Sequence, residues 1–110
     1  MKRGDLAIVA ASGDYGKPTS AVIVQTDALS AQHASVVLCQ MTFELTEAPH
    51  FSVTIKPSQT NGLPVRLQVI GDKPMTIRRE RIAQSIGRLD DKDGRATQYV
   101  ALAFVMGLAD

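Results

Sequence analysis

Few residues of this chain are equipped for covalent or acid–base chemistry, and their spacing excludes the commonest devices. The single cysteine, Cys39, lies inside the apolar run Val36-Val37-Leu38-Cys39. That setting fits a buried structural thiol better than a nucleophile, which needs an open, electropositive surrounding. His33 and His50 are far apart and belong to no HxxxH or CxxC arrangement, so each reads as a surface or loop residue rather than a metal ligand. The stretch Gly13-Asp14-Tyr15-Gly16-Lys17 is too short and wrongly spaced to wrap a phosphate as a P-loop does. What remains is a group of cations, Arg78, Arg79 and Arg81 with Lys73 just upstream. Such a cluster can meet a phosphate or an acidic partner; with Glu80 among it, it can equally form a solvated face.

The elements that must position these groups are short. Segments rich in β-branched and aliphatic residues at 6–10, 21–25, 36–41, 51–55 and 65–70 predict strands. Turn residues punctuate them at Ser12-Gly13-Asp14, Gly16-Lys17-Pro18 and Asn61-Gly62, and the first turns make strands one and two a hairpin pair. Toward the end, Asp90-Asp91-Lys92-Asp93-Gly94 reads as a polar turn before a helix over 95–106. In that helix Tyr99, Leu102 and Met106 recur at helical spacing, Val100, Ala103 and Phe104 widen the apolar face, and Gly107 is a suitable stop. Ile82, Ile86 and Leu89 also fit helical spacing, so periodicity alone leaves 78–89 open between helix and turn plus strand.

A chain of 110 residues without a linker-like tract predicts one domain over 1–110, large enough to hold a core without disulfide or metal. The net charge of +1 argues against a generic nucleic-acid binder, which carries a strong basic excess. The charged start and the break at Ser12, Gly13 and Asp14 do not fit a signal peptide, and no apolar run approaches the roughly 20 residues of a membrane span. A soluble, cytoplasmic protein that does not engage a membrane is expected.

The order of segments resembles the MazF/PemK family of toxin endoribonucleases, whose relatives include the gyrase poison CcdB. Arg3-Gly4-Asp5-Leu6 resembles that family's RG-[DE]-[IL] start. Gly16-Lys17-Pro18-Thr19-Ser20-Ala21-Val22-Ile23-Val24 is similar to its G-x-RPAVVV segment, and Val24-Gln25-Thr26-Asp27 to the V-x-[SN]-D that follows. Positions 36–42 resemble a strand that ends in the family's catalytic threonine. Asp72-Lys73-Pro74-Met75-Thr76-Ile77 resembles DQ-x-RT-[IV], and Arg81-Ile82 with Ile86-Gly87-Arg88-Leu89 resembles R-[IL]...IG-x-L. The resemblance runs almost end to end and rests on the concordance of order and spacing. It implies a mainly β fold, a small SH3-like β-barrel with a C-terminal α-helix, and a short turn after Ile77 followed by a strand through 86–89. It also implies a homodimer neutralised by a cognate acidic antitoxin.

The chemistry that the resemblance implies is cleavage of single-stranded RNA with no metal and no cofactor. Thr42 then takes the catalytic threonine's place, and Thr19 stands where the family has an arginine that assists phosphoryl chemistry. An arginine holds a phosphate through two parallel donors, whereas a threonine offers one neutral hydroxyl. Lys17, beside that position, is the nearest replacement charge. Gln40, Arg66, Asp72 and Lys73 are the expected RNA-binding residues, Gln40 and Asp72 reading base edges. Phe43 replaces the family's usual Ser or Thr after the catalytic threonine, and Lys73 replaces the glutamine of DQ. The alternative is a CcdB-like poison of DNA gyrase acting through Met106, Gly107 and Leu108, with Met106 where that toxin stacks a tryptophan. A third reading is a catalytically silent relative that binds antitoxin or operator DNA.

Overall fold

The structure, a computed structural model, describes residues 2–10, 18–28, 33–45, 52–98, 103 and 107. The strands are β1 (Asp5–Val9), β2 (Thr19–Ile23), β3 (Ser35–Thr42), β4 (Ser52–Ile55), β5 (Leu67–Ile70), β6 (Met75–Arg78) and β7 (Ile82–Arg88). The five segments expected from composition appear as β1 to β5 with ends moved by a residue or two. The ambiguous stretch is a single 3₁₀ turn, Arg79–Arg81, followed by β7. This is the arrangement the resemblance implied. Periodicity gave no sign of β6, a four-residue strand with one buried position, Ile77.

The helix starts earlier than expected. The polar stretch read as a turn is the first turn of α1 (Asp91–Ala96), and the reason is electrostatic. Asp90 accepts the backbone N–H of Asp93 at 2.7 Å, and Asp91 and Asp93 place negative charge at the positive end of the helix. That local gain outweighs the cost of Gly94 inside the helix, about 1 kcal/mol relative to alanine. Thr97, Gln98 and Ala103 continue the coil in wider π geometry; the other positions of the helix expected over 95–106 lie outside the described residues, apart from Arg95 and Ala96.

Among the described residues every strand pair is antiparallel, in the order β4-β5-β3-β2-β1-β7, with β6 also on β3. Strand β3 is the hub. Leu38 pairs with both Ile23 and Met75, so β2 holds one edge of β3 while β6 and β5 share the other. Strand β6 takes the start, from Ser35↔Arg78 to Leu38↔Met75, and β5 takes the end at Met41↔Val69 and Thr42↔Gln68. The turn 71–74 therefore spans the two β3 residues between them, Cys39 and Gln40.

Alternation along β1, β2 and β3 sends side chains to two buried faces. Leu6, Val22, Cys39 and Met41 join Ile55, Leu67 and Val69 on one; Ala7, Val9, Ala21, Ile23, Val36 and Leu38 join Ile77 on the other. Burial on both faces explains why β1 to β3 read as nearly continuous apolar runs. Among the described residues the end strands β4 and β7 do not pair with each other. The loop 56–66 bridges that opening. Its Thr60 carbonyl accepts the Arg88 N–H at 3.0 Å. Buried Asn61 ties the loop together: its amide donates to the Lys56 carbonyl at 2.8 Å, and its Oδ1 accepts the N–H groups of Ser58 and Leu63, each at 3.0 Å. The approach is so close that a Cβ at Gly87 would strike the Thr60 carbonyl, and one at Gly62, which sits at φ 66°, would lie 2.6 Å from the Ile86 oxygen.

Candidate active site at the end of β3

Strand alternation and register bring three of the expected residues to one face. Gln40 and Thr42 share the side of β3 that carries Val36 and Leu38, and Thr19 shares the side of β2 that carries Ala21. Gln40 stands opposite Ala21, and continuing that register by two residues sets Thr19 level with Thr42. All three are half-buried, a depth at which a side chain has lost part of its water but can still meet a ligand.

Thr42 ends its strand in a tight turn, because its Oγ1 accepts the backbone N–H of Glu44 at 3.1 Å. A hydroxyl carries two acceptor lone pairs and one donor, so this bond fixes the side chain while leaving its proton to be donated elsewhere. Its strand partner Gln68 is buried and donates to Thr54 Oγ1 at 3.2 Å. Arg66 lies exposed two residues before Gln68, and Asp72 and Lys73 lie exposed in the turn that passes Cys39 and Gln40. Lys17 lies outside the described residues, as does His50.

Cys39 is fully buried. Burial, and secondarily the Asp72 carboxylate, push its thiol up to about 11. A thiol held protonated in this way is an inert core group at neutral pH. The same effect places the Asp72 charge near the middle of β3. His33 is exposed, and among the described residues no three His, Cys, Asp or Glu side chains converge as metal ligands.

The basic cluster sits elsewhere, at the opposite end of β3, where Ser35 pairs with Arg78. Two of its charges are engaged: Arg78 faces Glu80 at 3.5 Å, and Arg79 Nε donates to the His33 carbonyl at 2.8 Å. His33, Ser35, Arg78, Arg79 and Glu80 line an open depression of about 590 Å³. Of the alternative gyrase-binding residues, Gly107 is exposed at φ 76°, while Met106 and Leu108 lie outside the described residues.

Sequence reasoning noted Phe43 only as a replaced hydroxyl. In the structure Phe43, Leu45 and Val65 are exposed, Phe43 at 75%, and all three flank the Thr42↔Gln68 pair. The available signal was the continuation of apolar residues beyond the polar end of a strand.

Residues 2–100 match the family of PemK-like, MazF-like toxins of type II toxin-antitoxin systems. A relative from Mycolicibacterium smegmatis (strain ATCC 700084 / mc(2)155), described as a probable endoribonuclease MazF, is 36% identical over 110 residues, covering 99% of each chain. Among solved structures, a mycobacterial endoribonuclease in complex with its cognate antitoxin superposes with a TM-score of 0.82 at 22% identity, over 98% of this chain and 96% of that one. The MazE–MazF complex of Deinococcus radiodurans superposes with a TM-score of 0.75 at 17% identity, over 98% and 97%. At those identities the two structures establish a shared fold.

Proposed function

Because this chain belongs to the PemK-like, MazF-like toxins of type II toxin-antitoxin systems, we propose that it is a metal-independent endoribonuclease that cleaves single-stranded RNA. The observation that carries this reading is Thr42, half-buried at the end of β3 with its hydroxyl oriented by Glu44. Gln40 lies on the same face, and Asp72 lies in the adjoining turn. The family relationship to a protein described as a probable endoribonuclease supports the same activity.

In the reaction the RNA 2′-oxygen attacks the adjacent phosphorus and gives up its proton to a base. The bond from phosphorus to the 5′-oxygen breaks, and that oxygen takes up a proton, leaving a 2′,3′-cyclic phosphate and a 5′-hydroxyl. The protein must hold the phosphate in line and stabilise the negative charge that accumulates on its oxygens. Thr42 donates its proton to one non-bridging oxygen. Lys17 and Lys73 supply positive charge, Arg66 meets the RNA backbone, and Gln40 and Asp72 read base edges. Thr19, where the family places arginine, adds a neutral hydroxyl, so the site works with less charge stabilisation than its relatives.

The test is cleavage of a single-stranded RNA in the presence of chelator, with the product ends identified chemically. Thr42→Ala lowers single-turnover cleavage by roughly 10²- to 10³-fold, the usual cost of one lost transition-state donor. Thr42→Ser restores most of it, and circular dichroism shows both variants folded. A wild type that cuts no RNA but blocks supercoiling would transfer the assignment to DNA gyrase; the 2–100 family match ends before the tail that this alternative needs.

The protein acts in the cytoplasm as a homodimer, held inactive by a cognate acidic antitoxin. Solved relatives in complex with antitoxins support that partner. Sedimentation at micromolar concentration gives a dimer for the toxin alone and a heavier complex with antitoxin. A monomer in both runs defeats this assembly.

A further inference from the structure

Phe43 follows Thr42 directly and is the only phenylalanine or tyrosine among the described residues. A phenyl ring left 75% exposed is unusual next to strands that bury their apolar side chains almost completely. Its backbone is also constrained, because the Thr42 hydroxyl closes over it onto the Glu44 N–H at 3.1 Å. The ring is thus left exposed directly after the end of β3, next to Thr42, without being used to fill the core.

We propose that Phe43 is a stacking platform for one unpaired base of the RNA, next to the nucleotide whose phosphate meets Thr42. This assignment rests on the ribonuclease reading above. Its geometry follows from chain dimensions and from the bend at Phe43: consecutive Cα atoms lie 3.8 Å apart, and because Phe43 stands past the end of β3 strand alternation does not commit its ring to the opposite face, so a base adjoining a phosphate held at Thr42 is within its reach. Stacking is indifferent to base-edge pattern, since every base has a π-face, and it lets Gln40 and Asp72 read edges while Phe43 holds the plane. Exposed Leu45 and Val65 border the same strand pair, but the Thr42 hydroxyl and exposed Arg66, two residues before its partner Gln68, offer a donor and a charge that a nucleotide uses and a wholly apolar peptide anchor does not. In the family this position usually carries a small hydroxyl. The ring therefore gives this chain a base contact that a serine or threonine there cannot make.

The chain contains no tryptophan, so Phe43→Trp introduces a unique fluorescent reporter at the site. Binding is measured with an oligonucleotide spanning a site that the wild type cleaves, made uncleavable by a 2′-deoxy substitution at the cleaved nucleotide, so that Thr42 and its bond to the Glu44 N–H stay in place. Phe43→Ala and Phe43→Leu both weaken binding by roughly 5- to 150-fold, the range for one lost base stack. Phe43→Trp keeps the affinity, and RNA quenches its emission. Unchanged RNA affinity in the alanine variant, or full affinity with leucine, overturns the proposal while leaving the ribonuclease reading intact. So does loss of antitoxin binding with RNA binding unaffected, which would make Phe43 an apolar anchor for the partner. A wild type that neither binds nor cleaves RNA defeats the ribonuclease reading itself, and the stacking assignment with it.

Discussion

The two ends of β3 carry opposite kinds of surface. At its start, beside Arg78 and Arg79, charge is dense but spent: one guanidinium faces Glu80 and the other is tied to the His33 carbonyl. At its finish, beside Thr42, a hydroxyl, an amide and an aromatic ring are held half-buried or exposed with donor and stacking capacity left over. Concentrated charge in a sequence marks where ions are, whereas a site depends on which groups remain unsatisfied after folding. An exposed ion pair such as Arg78–Glu80 is worth little, typically below about 1 kcal/mol, but it suffices to lower the local field that a phosphate would feel.

Changes at the finish of β3 should therefore dominate those at its start. Thr42→Ala, at roughly 10²- to 10³-fold, is the largest expected effect on cleavage. Next comes Thr19→Arg, which restores a fork of donors level with Thr42. One charge-assisted hydrogen bond contributes about 1.5 to 3 kcal/mol, so the single-turnover rate should rise roughly 10- to 100-fold. A rate that stays flat would mean that position 19 does not face the scissile phosphate. The smallest effect belongs to Arg79→Ala, which at physiological salt should change cleavage by less than about threefold, as expected for a screened charge with an existing partner. A tenfold loss there would erase the contrast and extend the RNA path along the whole of β3.

Much of the fold was legible because β1, β2 and β3 bury both faces and so announce themselves as apolar runs. The start of α1 was not, since the five polar residues 90–94 look like a turn until Asp90 is seen to cap the helix by accepting the Asp93 N–H. Strand β6 was hidden for a different reason: it exists through pairing with the first half of β3, a contact between distant segments that leaves no periodic trace in four residues. In the candidate site Thr42 and Gln40 were proposed from their place in a family-like strand, and the structure adds that both share one face of β3, with Thr19 on the matching face of β2 two residues beyond the Ala21↔Gln40 pair. The basic cluster was the most visible chemical feature of the sequence, and its Arg78 and Arg79 lie at the other end of β3. Phe43 was visible as a letter but not as a surface, because exposure is a property of the turn that follows it.

The pairing of β1 with β7, from Asp5↔Arg88 to Val9↔Ile82, has a consequence in time as well as space. Of the described strands the ribosome makes β1 first and β7 last, so the first strand keeps one edge open while the rest of the sheet is synthesised. At translation speeds of about 5 to 20 residues per second, a few seconds separate the appearance of Thr42 from that of Arg88. Only then does the Arg88 N–H reach the Thr60 carbonyl, so the last strand made is also the one that fastens the loop 56–66 across the sheet opening. A chain released before Ile82 can carry every residue assigned here to RNA and still lack that fastening. Synthesis order thus leaves the end of β3 exposed to solvent before the seam between β1 and β7 is shut.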